Sequence, residues 1–279
     1  MLSIIYGLSA ALGWGAADFT GGLASRRTGA YRVVFYSEAI GLGFIIIALF
    51  IIREPLPTLP PLGMAVLAGA LGTTGLLLLF HAMETGKMSI ATPVSALMAA
   101  TLPVAAGTLL AGFPGLPTFL GFGLSLSAIW LISREEGNHS RVLAHLSELR
   151  LPLLAGLGFG AYFILVHEAA QDSTYWTMLA SRIGGVLVMV VFMLARRKNW
   201  RVSRAAWPLI ALNAFLDITA NGFYIFASQA GRLDVSAILS SLYPAATVLL
   251  AAILLKERVA RSQALGIGLA LMAIIFLTI

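Results

Sequence analysis

The 279-residue chain has no cysteine, which excludes disulfides, thiolate nucleophiles and cysteine-ligated metal sites. Charge is almost as scarce. Asp, Glu, Lys and Arg make up 11% of the residues, against about 25% in an average soluble domain. So little charge cannot wet the outside of a globule of this size, and lipid must surround most of the surface. Long polar stretches are also missing. The longest, SREEGNHSRVLAHLSELR at 133–150, leaves no room for a soluble domain and is expected to act as a cytoplasmic linker (134–150) containing a short surface helix. The chain has no HExxH helix, no paired aspartates in a protease setting, no TVGYG filter and no ATP-binding motif. Gly13-Trp-Gly15 and Gly121-Phe-Gly123 lie inside apolar runs rather than between a strand and a helix, so they read as packing glycines and not as a phosphate cradle. The expectation is a protein that is not an enzyme and uses no cofactor or metal; an intramembrane enzyme acting on lipid-linked substrates and a passive channel are the alternatives.

What the chain does have is apolar length. Hydrophobic residues make up 59% of it, and a helix needs about 20 of them in a row to cross roughly 30 Å of hydrocarbon. Ten stretches qualify: 3–24, 31–52, 62–83, 89–111, 116–133, 151–169, 174–195, 206–228, 234–255 and 261–279. The first has no basic n-region and runs past signal-peptide length, so it is expected to be retained as a helix. Net charge is +6 and the pI near 10, but the basic residues occupy short gaps between apolar runs. That pattern suits anionic lipid and the cytoplasm, not nucleic acid.

The gaps after spans 1, 3, 5, 7 and 9 hold Arg26, Arg27, Arg32, Lys87, Arg134, Arg141, Arg150, Arg196, Arg197, Lys198, Arg201, Arg204, Lys256, Arg258 and Arg261. The other side holds only Arg53 and Arg232, with Arg182 left inside a span. Positive residues collect in cytoplasmic loops, so both termini are expected outside, on the periplasmic side of a bacterial-type inner membrane.

The chain also repeats itself. A shift of 145 residues carries Gly13 and Gly15 of LGWGAADF onto Gly158 and Gly160 of LGFGAYFI, Gly86-Lys87 onto Gly231-Arg232, and GFGL at Gly121 onto GIGL at Gly266. Each half, 1–133 and 151–279, therefore has five spans. Five is odd, so the second half must enter the membrane inverted. The loop charges agree, since SRRTGAYR after span 1 corresponds to HEAAQDST after span 6. The fold expected is an all-α polytopic membrane protein of ten transmembrane helices, two inverted five-helix repeats. Secondary transporters are often built this way, with a midplane site between the repeats opened to each side in turn by alternating access.

Charges inside hydrocarbon cost on the order of 2.5–3.5 kcal/mol, so each needs a partner, a wet cavity or a role. Asp18, Glu38, Arg182 and Asp217 are the four that matter, well inside their spans. Asp18 corresponds to Phe163 in the other half, which marks it as a cavity or coupling candidate beside a packing role. Glu38 and Arg182 occupy nearly equivalent places and either face one cavity or pair with partners elsewhere. Asn213, Asp217, Asn221 and Tyr224 share a face of span 8; they either bond neighbouring helices or form the polar wall of a cavity. Thr74 and His81 share a face of span 3, with His81 near its end as an interfacial or a proton-responsive group. Trp14, Tyr36, Tyr162, Tyr224 and Tyr243 are candidate walls of a small-molecule site. Pro93, Pro103 and Pro244 are expected to kink their helices.

The two five-helix halves, the glycine hairpin between the third and fourth helices of each, and the ending LLAAILLKERVARSQALGIGLALMAIIFL with Lys256-Glu257-Arg258, Gln263, Gly266 and Gly268 together resemble the drug/metabolite transporter superfamily and its EamA members. The resemblance covers essentially the whole chain. It implies a ten-helix inner-membrane transporter with a central cavity for a small-molecule substrate, often an exporter of amino acids or related metabolites, as in the YddG type. Glu38 departs from the arginine that many members carry early in the second helix, while Arg182 keeps it in the second half. Many members also place both termini in the cytoplasm, opposite to the side that these loop charges indicate. Ten helices can enclose a site in one chain, so a monomer suffices.

Overall fold

The computed structural model of the protein describes residues 1–85, 88–132, 146–254, 256 and 260–278. Gly86 and Lys87, most of the expected linker, and Glu257 and Arg258 of the signature lie outside the described residues. The described part is helical: α1 (Leu2–Thr28), α2 (Ala30–Ile52), α3 (Leu59–Thr85), α4 (Met88–Ala111), α5 (Leu116–Ile132), α6 (Leu146–Ala169), α7 (Thr174–Ala195), α8 (Trp207–Gln229), α9 (Leu233–Ser240), α10 (Tyr243–Leu254) and α11 (Arg261–Thr278), with a 3-10 turn at Arg204–Ala206. Eight stretches are long and apolar enough to cross a membrane, with α9 and α10 counting together, and Leu116–Leu131 and Arg261–Leu277 are shorter apolar helices. These are the ten expected spans of a multi-pass membrane protein. Spanning segments take this form because hydrocarbon offers no partner to an open backbone N–H or C=O.

One expected span is not continuous. The ninth breaks at Ser241–Leu242, two residues before Pro244. Proline has no N–H for the helical ladder and its ring collides with the carbonyl four residues back, here that of Ser240. The chain turns through Leu242, whose N–H donates to the Leu239 carbonyl while its own carbonyl accepts from Ala245. By contrast α4 runs uninterrupted from Met88 to Ala111 through Pro93 and Pro103, so of the three prolines only Pro244 stands beside a break; the Pro93 side chain lies outside the described residues.

Residue size sorts inward and outward. Large apolar side chains such as Phe50, Ile51, Leu109, Val191 and Ile253 face outward, whereas alanines dominate the buried positions. Lipid tails are as apolar as leucine, so helix association gains little from hiding large side chains and much from close backbone approach. Gly13 meets Ala220 of α8, and its repeat partner Gly158 meets Gly75 and the Leu71 carbonyl of α3. Gly15 abuts the Tyr243 carbonyl and Ala246, and its partner Gly160 abuts the Ala99 carbonyl and Leu102.

These paired contacts extend to whole helices. α1 packs on α8 as α6 packs on α3; α1 also packs on α9 and α10 as α6 packs on α4; α2 crosses α7, and α5 lies along α11. The halves therefore interlock. One bundle contains α1, α8, α9 and α10, the other α6, α3 and α4, and each takes helices from both repeats. The ends of the molecule follow the inversion. At one end Arg32 donates to the Asn199 carbonyl and Tyr36 to the Trp200 carbonyl, joining the start of α2 to the α7–α8 segment. At the other, Glu54 accepts from Ser173 and the Tyr175 N–H, and Arg232 grips both oxygens of Asp234 and the Gly112 carbonyl.

Candidate substrate cavity

A cavity lies between the two bundles, with α2 and α7 completing its wall. Its empty space, open mouth included, is about 720 Å3. Trp14 and Asp18 come from α1, Glu38 from α2, Thr73 from α3, Tyr162 and Phe163 from α6, Arg182 from α7, Asp217 and Asn221 from α8, and Tyr243 from α10. Distant parts of the chain meet here because α2 and α7, equivalent helices of inverted repeats, cross one another.

At that crossing Arg182 sits between two acids. Its Nη1 donates to Glu38 Oε2 at 2.8 Å and its Nη2 to an oxygen of Asp217. The other Glu38 oxygen accepts from Thr73 Oγ1 at 2.9 Å. Glu38 and Arg182 are buried, each about 5% exposed. Charges at this depth are tolerated because each is paired and further hydrogen-bonded. Gly185 permits the arrangement, since a Cβ there would collide with Thr73 Oγ1 and stand 2.8 Å from Glu38 Oε2.

The α8 stripe divides its work. Asn213 accepts from Ser37 at 2.7 Å and donates to the Ala17 carbonyl at 2.7 Å, binding α8 to α2 and α1. One turn on, Asp217 holds Arg182, and Asn221 accepts from the Tyr162 hydroxyl while donating to the Asp217 carbonyl at 2.7 Å. Interhelical bonding and cavity lining thus occur on the same face, at different depths.

Asp18 is different. It is 6% exposed and lines the cavity, and its Oδ2 is buried with no hydrogen-bond partner among the described residues. Trp14, one turn earlier, stacks on Phe163 with ring centroids 5.4 Å apart. Tyr243 shares a hydrogen bond of 3.0 Å with Ser95 of α4, which links the two bundles beside the helix break.

Trp14, Asp18, Glu38, Tyr162, Arg182, Asp217, Asn221 and Tyr243 are thus brought together, and two expected members are not. Tyr224 is fully buried behind the wall, its ring 4.4 Å from Phe163 and its hydroxyl donating to the Phe163 carbonyl at 3.0 Å. Having that partner within the protein, it packs the wall and does not line the cavity. His81 is exposed near the end of α3, with Nδ1 3.7 Å from Glu84 Oε2, and is absent from the lining because its helix carries it past the cavity. Tyr36 belongs to an aromatic group with Phe35, Trp200 and Trp207 at one end of the molecule.

On α3 the polar residue at the cavity is Thr73; Thr74 is exposed and its hydroxyl bonds back to the Ala70 carbonyl. Gly69, Gly72, Thr73 and Leu76 form the lining face. Their spacing of three, one and three residues is a helical stripe, a signal that is readable in the sequence once small residues are counted as part of it.

The chain matches the EamA-like transporter family over residues 1–134 and again over 147–279. A solved structure, described only as a crystal structure of protein, is similar with a TM-score of 0.80 over 99% of this chain and 98% of its own, at 17% identity. At that identity the likeness shows the fold alone. Among curated proteins there is no match.

Proposed function

The chain belongs to the EamA-like transporter family, and on that premise we propose that it is a secondary transporter exporting small amphipathic amino compounds, amino acids and related amines among them, across a bacterial-type inner membrane by alternating access. The observation that carries this reading is the cavity itself. It lies between bundles that each mix helices of the two repeats, and it combines a few polar groups with aromatic and apolar walls, as small-molecule sites do. Inverted repeats support two conformations of related energy, and rocking one bundle against the other exposes a midplane site to each side in turn. The moving bodies are then α1, α8, α9 and α10 against α3, α4 and α6, not residues 1–133 against 151–279.

Fifteen of the eighteen Lys and Arg residues fall in the gaps after the odd-numbered spans of the sequence, which supports a cytoplasmic location for that end and outside termini. A C-terminal alkaline phosphatase fusion is expected to be active; an inactive one with a fluorescent cytoplasmic-reporter counterpart would reverse the orientation. For transport, the purified chain in liposomes is offered a panel of labelled amino acids and amines. Saturable counterflow is expected. Unsaturable flux would replace the transporter reading with a channel, and chemical conversion without flux would replace it with an enzyme.

A further inference from the structure

The cavity is acidic on balance. Among the described residues that line it, Asp18, Glu38 and Asp217 stand against one guanidinium, Arg182. Both terminal nitrogens of Arg182 already hold carboxylates, so a carboxylate on a substrate finds that cation engaged by two acids. Asp18 is the reverse case. Its Oδ2 is buried and has no hydrogen-bond partner among the described residues, and Asp217 lies within electrostatic range, adding repulsion and no compensation.

A buried carboxylate without a counter-charge is destabilising, and inside a membrane such a group marks a path for a proton or for a cationic substrate. Its surroundings narrow the kind of cation. Trp14 stacks on Phe163 at the cavity wall, and Tyr243 and Tyr162 bring two more rings to the same lining. Aromatic faces attract an ammonium through their negative quadrupole and accept the carbon skeleton beside it. A bare metal ion would ask for several oxygen ligands, and among the described residues no group of three or more His, Cys, Asp or Glu could hold one.

We propose that the cavity binds organic cations by contact between a substrate ammonium and Asp18 within the aromatic wall of Trp14, Phe163 and Tyr243, and that it therefore takes an amine in preference to the corresponding zwitterion. This inference rests on the reading of the cavity as the substrate site. The charged and titratable groups facing the ammonium are Asp18 from α1, Glu38 from α2, Tyr162 from α6, Arg182 from α7, Asp217 from α8 and Tyr243 from α10. Bringing a positive charge lowers the acid excess of this set, whereas a zwitterion leaves it unchanged and sets a carboxylate beside Glu38 and Asp217.

The test is equilibrium binding of labelled phenethylamine, phenylalanine and N-acetylphenylalanine to the purified full-length chain, with no flux required. Phenethylamine is expected to bind about ten-fold tighter than phenylalanine, a difference of about 1.4 kcal/mol, and N-acetylphenylalanine not to compete. Asp18→Asn should weaken phenethylamine by about ten-fold or more at an unchanged unfolding temperature. Phenylalanine or its N-acetyl derivative binding as tightly as the amine would overturn the proposal, as would unchanged amine affinity in folded Asp18→Asn, or no binding of any of the three, which would leave Asp18 to a proton alone. The wild-type order decides the matter even where Asp18→Asn fails to fold. Amine binding without counterflow would remove the transport reading while leaving the ammonium site standing.

Discussion

Arg182 joins three helices through two carboxylates, and its neighbours do more than neutralise it. Glu38 is held on its second oxygen by Thr73, and Asp217 sits one turn from Asn221 on the same face. Removing one member of such a set strands the others. Arg182→Met is therefore expected to destabilise the protein by about 3–5 kcal/mol. The triple variant Glu38→Gln, Arg182→Met, Asp217→Asn should recover most of that loss, because no member of the set is then left as a stranded charge. Thermal unfolding of the detergent-purified variants checks this, and equal melting of the single and triple variants would sink the charge explanation. That Glu38 and Arg182 were special is legible from their position in apolar runs. That they meet each other is not, because the partner of a buried charge depends on which helices cross.

Two glycines let α3 and α7 approach closely. A Cβ at Gly69 would overlap the Ser181 carbonyl oxygen, and one at Gly184 the Val66 carbonyl oxygen. The equivalent positions in the other repeat are Ala39 and Ala214, so the α2–α8 crossing carries methyl groups where α3–α7 carries none. Gly69→Ala and Gly184→Ala are each expected to cost about 1–3 kcal/mol through forced separation of the two backbones. Gly43→Ala and Gly63→Ala, where an added Cβ meets nothing within 4 Å, should be neutral in the same melting assay. If all four behaved alike, close packing at the crossing would not be the reason for glycine there. The broken ninth span belongs to this scale as well. Its proline is visible in the sequence, but Pro103 is equally visible and α4 passes through it, so proline marks where a break can occur and the packing around it selects where one does.

For the molecule as a whole, interlocking has a mechanical consequence. If transport rocks α1, α8, α9 and α10 against α3, α4 and α6, a covalent tie between those bundles must stop it and a tie within one must not. The absence of native cysteine makes the experiment clean. Gln229 of α8 donates to the His167 carbonyl of α6 at 2.8 Å, across the bundles. Ser3 of α1 and Ser236 of α9 share a hydrogen bond at 3.1 Å within one bundle. The cysteine pair at 167 and 229 is expected to arrest counterflow on oxidation and release it on reduction, whereas the pair at 3 and 236 should leave it intact. Equal effects of the two ties would mean that these bundles are not the moving bodies.

By itself the sequence determined the membrane class, the ten helices, the duplication and its inversion, and a short set of candidates at which charge or aromatic surface stands inside apolar runs. All of these follow from local composition and from a count of spans, and neither needs knowledge of neighbours. The tertiary structure alone decided that the halves interlock, that Arg182 is held by two acids while Asp18 Oδ2 has no partner among the described residues, that Tyr224 and His81 stand off the cavity, and that Thr73 rather than Thr74 reaches it. Those outcomes depend on which faces of which helices meet. In a bilayer that choice is set by small differences in backbone approach and polar pairing between distant segments, because the hydrophobic pattern satisfied by lipid says little about which helix lies against which.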